Sequence, residues 1–451
     1  NRCGKPVDEL WTNLGPEVIN ISYTGSRSII HRVIQIDFSS ISAFLTGFST
    51  YPQPLRLRLR IFTIFFLYKQ THQAVRKGEL STIMKLVFDK ADLVKSVGIA
   101  MKAVSGKTTM PILECILIDA SSNVIKFTSN DMELGIETIV TGMILERGIV
   151  ALDAKIFSEI VRKLPDNQVT IETDENLVTT ITCEKAKFSI PGQSGEDFSY
   201  LPILETSDCV SISQFTLKEL IRQTIFSIAA NENNKLMTGE LFEIKDNTLR
   251  VVSLDGHRIA IRRIELKDSY PDRKVVVPGK TLNEISKILS GEMDDQIDIY
   301  FSENHIMFKF DDTTVVSRLI DGEYFRIDQM LSSDYETKVT INKKEFLSCI
   351  DRATLLVKEG DKKPIIINIT DGLMELKINS AIGSMDEQID IEKSGKDLMI
   401  GFNPRFLIDA LRVIDDEQIT IYLVNPKAPC FIRNEENSYI YLILPVNFTT
   451  V

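Results

Sequence analysis

The stretch Leu152–Leu164, LDAKIFSEIVRKL, sets two basic residues, Lys155 and Arg162, seven apart over an apolar set of Phe157, Ile160 and Leu164. At about 100° per residue, Arg162 falls about 20° from Lys155, while the apolar three fall between about 140° and 200°. Charge and apolar stripe therefore take opposite faces of one helix. The pattern returns twice. VPGKTLNEISKIL (Val277–Leu289) sets Lys280 and Lys287 against Leu282, Ile285 and Leu289, and FNPRFLIDALRVI (Phe402–Ile414) sets Arg405 and Arg412 against Leu407, Ala410 and Ile414. Lys280 stands 125 residues after Lys155, and Arg405 stands 125 after Lys280.

One helix with a charged outer face is ordinary. Three copies in register, all of one sign, are not, because the surrounding chain is acidic. The 451 residues carry a net charge of −11, and the first 83 hold 10 Lys/Arg against 5 Asp/Glu. That leaves 42 Lys/Arg against 58 Asp/Glu from Met84 onward. Basic helices on one side, with acidic strands and loops on the other, suit a phosphate backbone read without regard to base sequence. The opening helices add Lys90, Lys95, Lys102, Lys218, Arg222, Lys343, Lys344 and Arg352, at mixed rotational positions.

From Met84 the chain lays out as three units. Each opens with a short strand and a helix, for which Asp89, Thr216 and Asn342 are expected caps. Alternating strands, the basic helix and a closing set of hairpins follow. The expected class is α+β with mostly antiparallel sheet, in domains 84–208, 209–333 and 334–451. Residues 1–83 read as upstream sequence without a fold of its own. Their apolar run ends in only eight uninterrupted residues, IFTIFFLY, against roughly 20 for a membrane span. Lys77-Gly78-Glu79 would be encoded by a purine-rich run of the kind that precedes a start at Met84.

Six cysteines lie far apart without a C-x-x-C pair and only four histidines occur, which disfavours a disulfide framework or a zinc site and suits a reducing cytoplasm. No metal and no cofactor is expected. An enzyme reading would rest on Asp255-Gly256-His257-Arg258 with His257 as base, but no G-x-S-x-G, P-loop or H-E-x-x-H accompanies it. Asp294-Asp295 and Asp415-Asp416 read as solvated turn carboxylates. A second alternative is a repeat-built scaffold that never surrounds DNA, which would not require the same basic pair in every copy.

The motifs MPILECILI (Met110–Ile118), LDGHRIAI (Leu254–Ile261), SRLIDGEYF (Ser317–Phe325), IGFNPRFLIDAL (Ile400–Leu411) and YLILPV (Tyr441–Val446) together resemble the bacterial DNA polymerase III beta subunit, the sliding clamp. The resemblance covers the chain after Met84. It implies three clamp domains per protomer and a head-to-tail homodimer ring around duplex DNA, helices inside and sheets outside. No catalysis is implied. To the DNA-facing set it adds Lys107, Asn231 and Lys235. It also implies a pocket for short peptides, walled by Met237, Leu254, Gly256, His257, Arg258, Ile259, Asn403, Phe406, Leu442, Leu444, Pro445 and Val446, with Phe325, Gln329 and Met330 at its edge. The family often has proline where this chain has Phe325, a larger group that could reshape that edge. The implied clients are the replicative polymerase catalytic subunit, the clamp loader, other polymerases, mismatch-repair proteins and ligase. No membrane partner is implied. At the ring interface Phe188 and Ile190 would meet a partner's Leu355 and Leu356, with Lys185 and Lys187 facing Asp386 and Glu387. A chain started at Met84 is expected to give a soluble dimer by light scattering; aggregation of that truncation alone would make residues 1–83 part of the fold.

Overall fold

The computed structural model describes residues 84–106, 108–204, 209–230, 234–357 and 363–448. The expectations for residues 1–83, and the DNA-facing assignments of Lys107 and Asn231, lie outside the described residues. Three units of like construction follow one another. Each carries two helices: α1 (Lys90–Ala100) and α2 (Ala154–Lys163), α3 (Gln214–Thr224) and α4 (Gly279–Ser286), α5 (Lys343–Thr354) and α6 (Pro404–Val413).

Local chemistry sets the helix starts. The carboxylate of Asp153 accepts from the Ile156 amide at 2.7 Å, and the side-chain oxygens of Asn342 and Asn403 accept from Glu345 and Arg405, each at 3.1 Å. These bonds satisfy amides that a helix leaves orphaned in its first turn. Thr216 is not the cap of α3. Ser213 is, accepting from the Thr216 amide at 3.1 Å, because the strand Cys209–Ser213 ends its ladder with Gln296–Tyr300 at that residue. Asp89 holds the N-cap position of α1 without a side-chain bond. Helix α4 starts uncapped at Gly279, where a Cβ would lie 2.4 Å from Ile228 Cδ1 and 2.9 Å from the Thr238 carbonyl oxygen. Only glycine fits there.

Every strand pair among the described residues is antiparallel. The sheets do not stop at the unit boundaries. Thr313–Ser317 of the second unit pairs with Leu134–Thr138 of the first, and Arg258–Arg262 pairs with Tyr439–Ile443 of the third. One element needs care. The run Gly239–Leu254 is continuous in strand geometry, yet the Arg250 guanidinium lies 2.6 Å from the Glu243 carboxylate. Seven residues of straight strand would span about 23 Å, so the strand bends sharply between them, where its ladder with Arg258–Pro278 is irregular around Asp246, with its φ of +52°.

Each unit has its own apolar core: Phe88, Phe127 and Phe157 in the first, Phe242, Phe308 and Leu217 in the second, Phe346, Phe402 and Leu407 in the third. A fourth cluster, with Leu241, Leu254, Ile259, Phe431 and Leu442, spans the second and third units. The helices form one succession of neighbours. Helices α1 and α2, α3 and α4, and α5 and α6 pack in pairs, and α3 also packs on α6. Lys102, just after α1, lies 3.9 Å from Glu284 of α4, and Arg222 of α3 lies 2.8 Å from Asp415, just after α6. The order is α2–α1–α4–α3–α6–α5. Ser213→Ala should lower stability by about 1 kcal/mol, read as a fall in the thermal midpoint, and Thr216→Ala by less; the opposite ranking would restore Thr216 as the cap.

Candidate functional site

Lys155, Arg162, Lys280, Lys287, Arg405 and Arg412 are all exposed. Their apolar counterparts are buried, from Phe157, Leu282 and Ala410 at 0% exposure to Leu289 at 4%, except Ile160, which is half-buried. The opposition of faces read from sequence therefore holds in space. The second copy is shorter than expected: α4 ends at Ser286, so Lys287 is its C-cap residue and Leu289 lies beyond it. Lys235 is exposed in the short turn Lys235–Thr238.

These cations are mostly tethered. Lys280 is paired with Asp131 of the first unit, Lys287 with Glu284 at 2.7 Å, and Arg412 with Asp351 at 3.4 Å. Arg162 donates from Nε to the Ser158 carbonyl at 3.2 Å. The exposed Arg412–Asp351 pair is worth about 0–1 kcal/mol and yields to salt, whereas Asp131 is nearly buried beneath Lys280. Several opening-helix cations are committed to holding the fold: Lys343 donates to the Ile414 carbonyl at 2.6 Å, and Lys218 to that of Leu289 at 3.3 Å. Asp415 and Asp416 are not simply solvated. The first pairs with Arg222, and the second accepts from the Tyr439 hydroxyl at 2.7 Å.

A second constellation forms where the second and third units meet. Arg258 donates from Nε to Asp255 at 3.0 Å, from Nη1 to Asp409 of α6 at 2.6 Å and from Nη2 to the Phe226 carbonyl at 2.6 Å. Its guanidinium carbon lies 4.5 Å from the Phe406 ring centre and 5.4 Å from that of Phe226. The His257 ring lies 6.0 Å from Phe406, and the His257 carbonyl accepts from the Leu444 amide at 2.8 Å. Gly256 makes this turn with a φ of +87°, a conformation that favours glycine. Met237, Leu254, Ile259, Phe325 and Leu442 share the apolar cluster between the units. Leu444 is 37% exposed beside them, and Pro445 and Val446 are half-buried. The Val446 amide is held by the Gly401 carbonyl at 2.8 Å.

Not every expected wall residue joins in. Asn403 spends its side-chain oxygen on capping α6, and Met330 is 50% exposed and outside the shared cluster. Phe325 stands edge-on to Tyr324 at 5.6 Å, and both, with Gln329, line an adjoining cavity of about 570 Å³. Tyr324 is half-buried, and its loss of solvent, with Glu240 nearby, raises its phenol pKa well above the ordinary value. Phe226, Tyr324 and Asp409 were not singled out from sequence. Asp255, the natural orienter for a His257 base, is engaged by the Arg258 side chain and by the amides of His257 and Arg258.

At the two ends of the described chain, Ala186–Pro191 pairs only with Val178–Cys183, and Ser384–Asp390 only with Leu373–Asn379. Phe188 is 40% and Leu355 78% exposed, and Ile190 and Leu356 are half-buried. The carboxylates expected to await a partner's lysines are already engaged. Glu387 is paired with Arg352, which holds its carboxyl below the usual range, and Asp386 lies 3.3 Å from Lys377. Lys185 and Lys187 are exposed, with no ion-pair partner among the described residues. Among those residues no group of His, Cys, Asp and Glu could hold a metal ion, and no helix is long and apolar enough to cross a membrane.

Comparison with known proteins now bears on the whole arrangement. The N-terminal, central and C-terminal domain families of the DNA polymerase III beta subunit match residues 84–202, 211–325 and 328–447. The beta sliding clamp of Staphylococcus epidermidis is 32% identical over 375 residues, covering 81% of this chain and 99% of the relative. A crystal structure from Eubacterium rectale, assigned to the DNA polymerase III beta subunit, is 71% identical with a TM-score of 0.79. The DNA polymerase sliding clamp of Bacillus subtilis is 34% identical with a TM-score of 0.78. Each covers 81% of this chain and 100% of that structure. The three clamp domains, their antiparallel sheets and their basic helices thus have one explanation: the chain belongs to the DNA polymerase III beta subunit family, the sliding clamps of DNA replication.

Proposed function

We propose that two copies of this chain join head to tail into a ring that encircles duplex DNA and tethers replication and repair proteins to it, without catalysing a reaction of its own. The domains are taken as 84–208, 209–333 and 334–451. What supports this most is the unbroken succession of six helices, three of which (α2, α4 and α6) present Lys155 and Arg162, Lys280 with Lys287 at the helix end, and Arg405 and Arg412 as exposed side chains. An enclosing ring needs little grip. Weak, salt-screened contacts let it slide, and topology supplies the retention. In the cytoplasm, the clients on this reading are the replicative polymerase, the clamp loader, other polymerases, mismatch-repair proteins and ligase. Each would dock a short peptide at the cluster of Met237, Leu254, Ile259, Phe406, Leu442 and Leu444, an apolar surface with Arg258 and His257 as polar orienters. Ring closure would join the edges at Ala186–Pro191 and Ser384–Asp390, with Phe188 and Leu355 as apolar contacts. Lys185 and Lys187 would share Asp386 and Glu387 with Lys377 and Arg352.

Loaded onto nicked circular DNA, the protein should persist through gel filtration and escape once the circle is cut; equal retention on both forms would exclude encirclement. Replacing Leu444 and Pro445 by alanine should abolish binding of a polymerase-derived peptide in fluorescence anisotropy while leaving the dimer intact, and unchanged affinity would move the pocket elsewhere. Asp131→Asn should release Lys280 and raise affinity for short duplex DNA about two- to five-fold at low salt. No change, with Lys280→Ala equally silent, would remove Lys280 from the DNA face.

A further inference from the structure

Glu240 lies in the apolar interior of the second unit. It pairs with Val277 on the neighbouring strand, and strand alternation puts both on the same side as Phe242 and Ile244, in the core beneath α3 and α4. The residue is 0% exposed, and neither carboxylate oxygen has a hydrogen-bond partner among the described residues. The Thr224 hydroxyl, a near neighbour at the end of α3, already donates to the Leu220 carbonyl at 2.6 Å. The Thr224 carbonyl is taken by the Ser253 hydroxyl at 2.5 Å. Ser227, in the turn that follows α3, is also fully buried with its hydroxyl unpartnered. The Thr224 hydroxyl is the one group whose hydrogen bonding would favour a charge here, and no cation among the described residues stands close enough to offset the burial. The Tyr324 phenol lies close enough to couple with Glu240, while the charged side chains on the surrounding elements lie nearer solvent: Lys218, Glu219 and Arg222 of α3, Lys280, Glu284 and Lys287 of α4 and its end, Arg258 and Lys274 of the paired strand, Lys235, Glu243, and Asp321, Glu323 and Arg326 of the Tyr324 loop. Burial pushes the Glu240 carboxyl up to about 8.

What sits over Glu240 gives the residue a consequence. The turn Ile225–Ser227 and its continuation to Ala229 touch the docking cluster and the start of α4. The Phe226 carbonyl accepts from Arg258, and the Phe226 ring lies 5.7 Å from Tyr441. The Ala229 amide donates to the Met237 carbonyl at 2.8 Å. Ile228 abuts Gly279, one residue before Lys280.

We propose that Glu240 is a positioning residue whose proton keeps the Ile225–Ala229 turn seated, and with it Met237 and the Arg258 clasp; once charged, the carboxylate seeks water and lifts the turn. The link to docking rests on the peptide-pocket reading above. The sign follows from linkage: the fold favours the protonated form, so this residue's support is complete below about pH 4.5 and is lost as pH rises through about 8.

Amide hydrogen exchange of the intact protein at pH 7 and pH 9, corrected for intrinsic rates, tests this. Protection of Ile228 and Ala229 should fall about tenfold between pH 7 and pH 9 in the parent, most of it below pH 8, and level off above. Glu240→Gln and Glu240→Met should both hold it level, and the clamp-binding peptide of a replicative polymerase should lose affinity in parallel, in the parent only. Level protection in the parent, or the same loss in both variants, would overturn the proposal. A turn that opens on cue while peptide affinity stays constant would uphold Glu240's hold on the turn and refute the pocket.

Discussion

Backbone hydrogen bonding that ignores domain boundaries is the constraint on which the rest depends. A domain that ended its sheet at Thr313–Ser317 or at Arg258–Arg262 would expose a row of unpaired amides and carbonyls, a state that proteins avoid. Here each edge is closed by the neighbouring unit, Leu134–Thr138 in one case and Tyr439–Ile443 in the other. Three similar units are thereby fixed in sequence and orientation. Helix order follows, and with it the alignment of basic pairs that each unit supplies separately. The docking cluster follows too, since Ile259 faces Leu442 in the second of these ladders.

The electrostatics are tuned toward weakness. Four of the six repeated cations already have a carboxylate or carbonyl for company, so binding a phosphate exchanges one modest contact for another. Strong, unpaired cations would trap DNA. In the proposed ring, the acidic remainder of the chain, with its 58 Asp/Glu after Met84, would work in the same direction by disfavouring DNA on other surfaces.

Much of this was legible in the residues. The basic pairs and their buried counterparts follow from a period of 3.6, and the fixed interval of 125 residues declared a repeat. What failed to show depended on contacts distant in sequence. Ser213 and Thr216 are equally good caps on paper, and only the end of a ladder with Gln296–Tyr300 decides between them. Arg258 finds partners 32 and 151 positions away, at Phe226 and Asp409, which no local pattern announces. Nothing local in Gly239–Ile244 marks Glu240 as an interior residue; both faces of that strand are buried, Leu241 toward one core and Phe242 toward another. The carboxylates Asp386 and Glu387, expected to face a partner, were identifiable as acidic, but their engagement by Lys377 and Arg352 was not.

The two surfaces of the molecule differ in how they resist bending. Across the junctions the sheet side is stitched by five residue pairs of backbone ladder at each seam, whereas the helix side is spanned by side-chain ion pairs such as Lys102–Glu284 and Arg222–Asp415. Parting the first kind breaks a cooperative row of buried bonds; parting the second loosens contacts worth about 1 kcal/mol or less apiece. The junctions between units are therefore bound like a book, stiff along the spine and free at the page edges, and elastic strain imposed on them would loosen the helix contacts first.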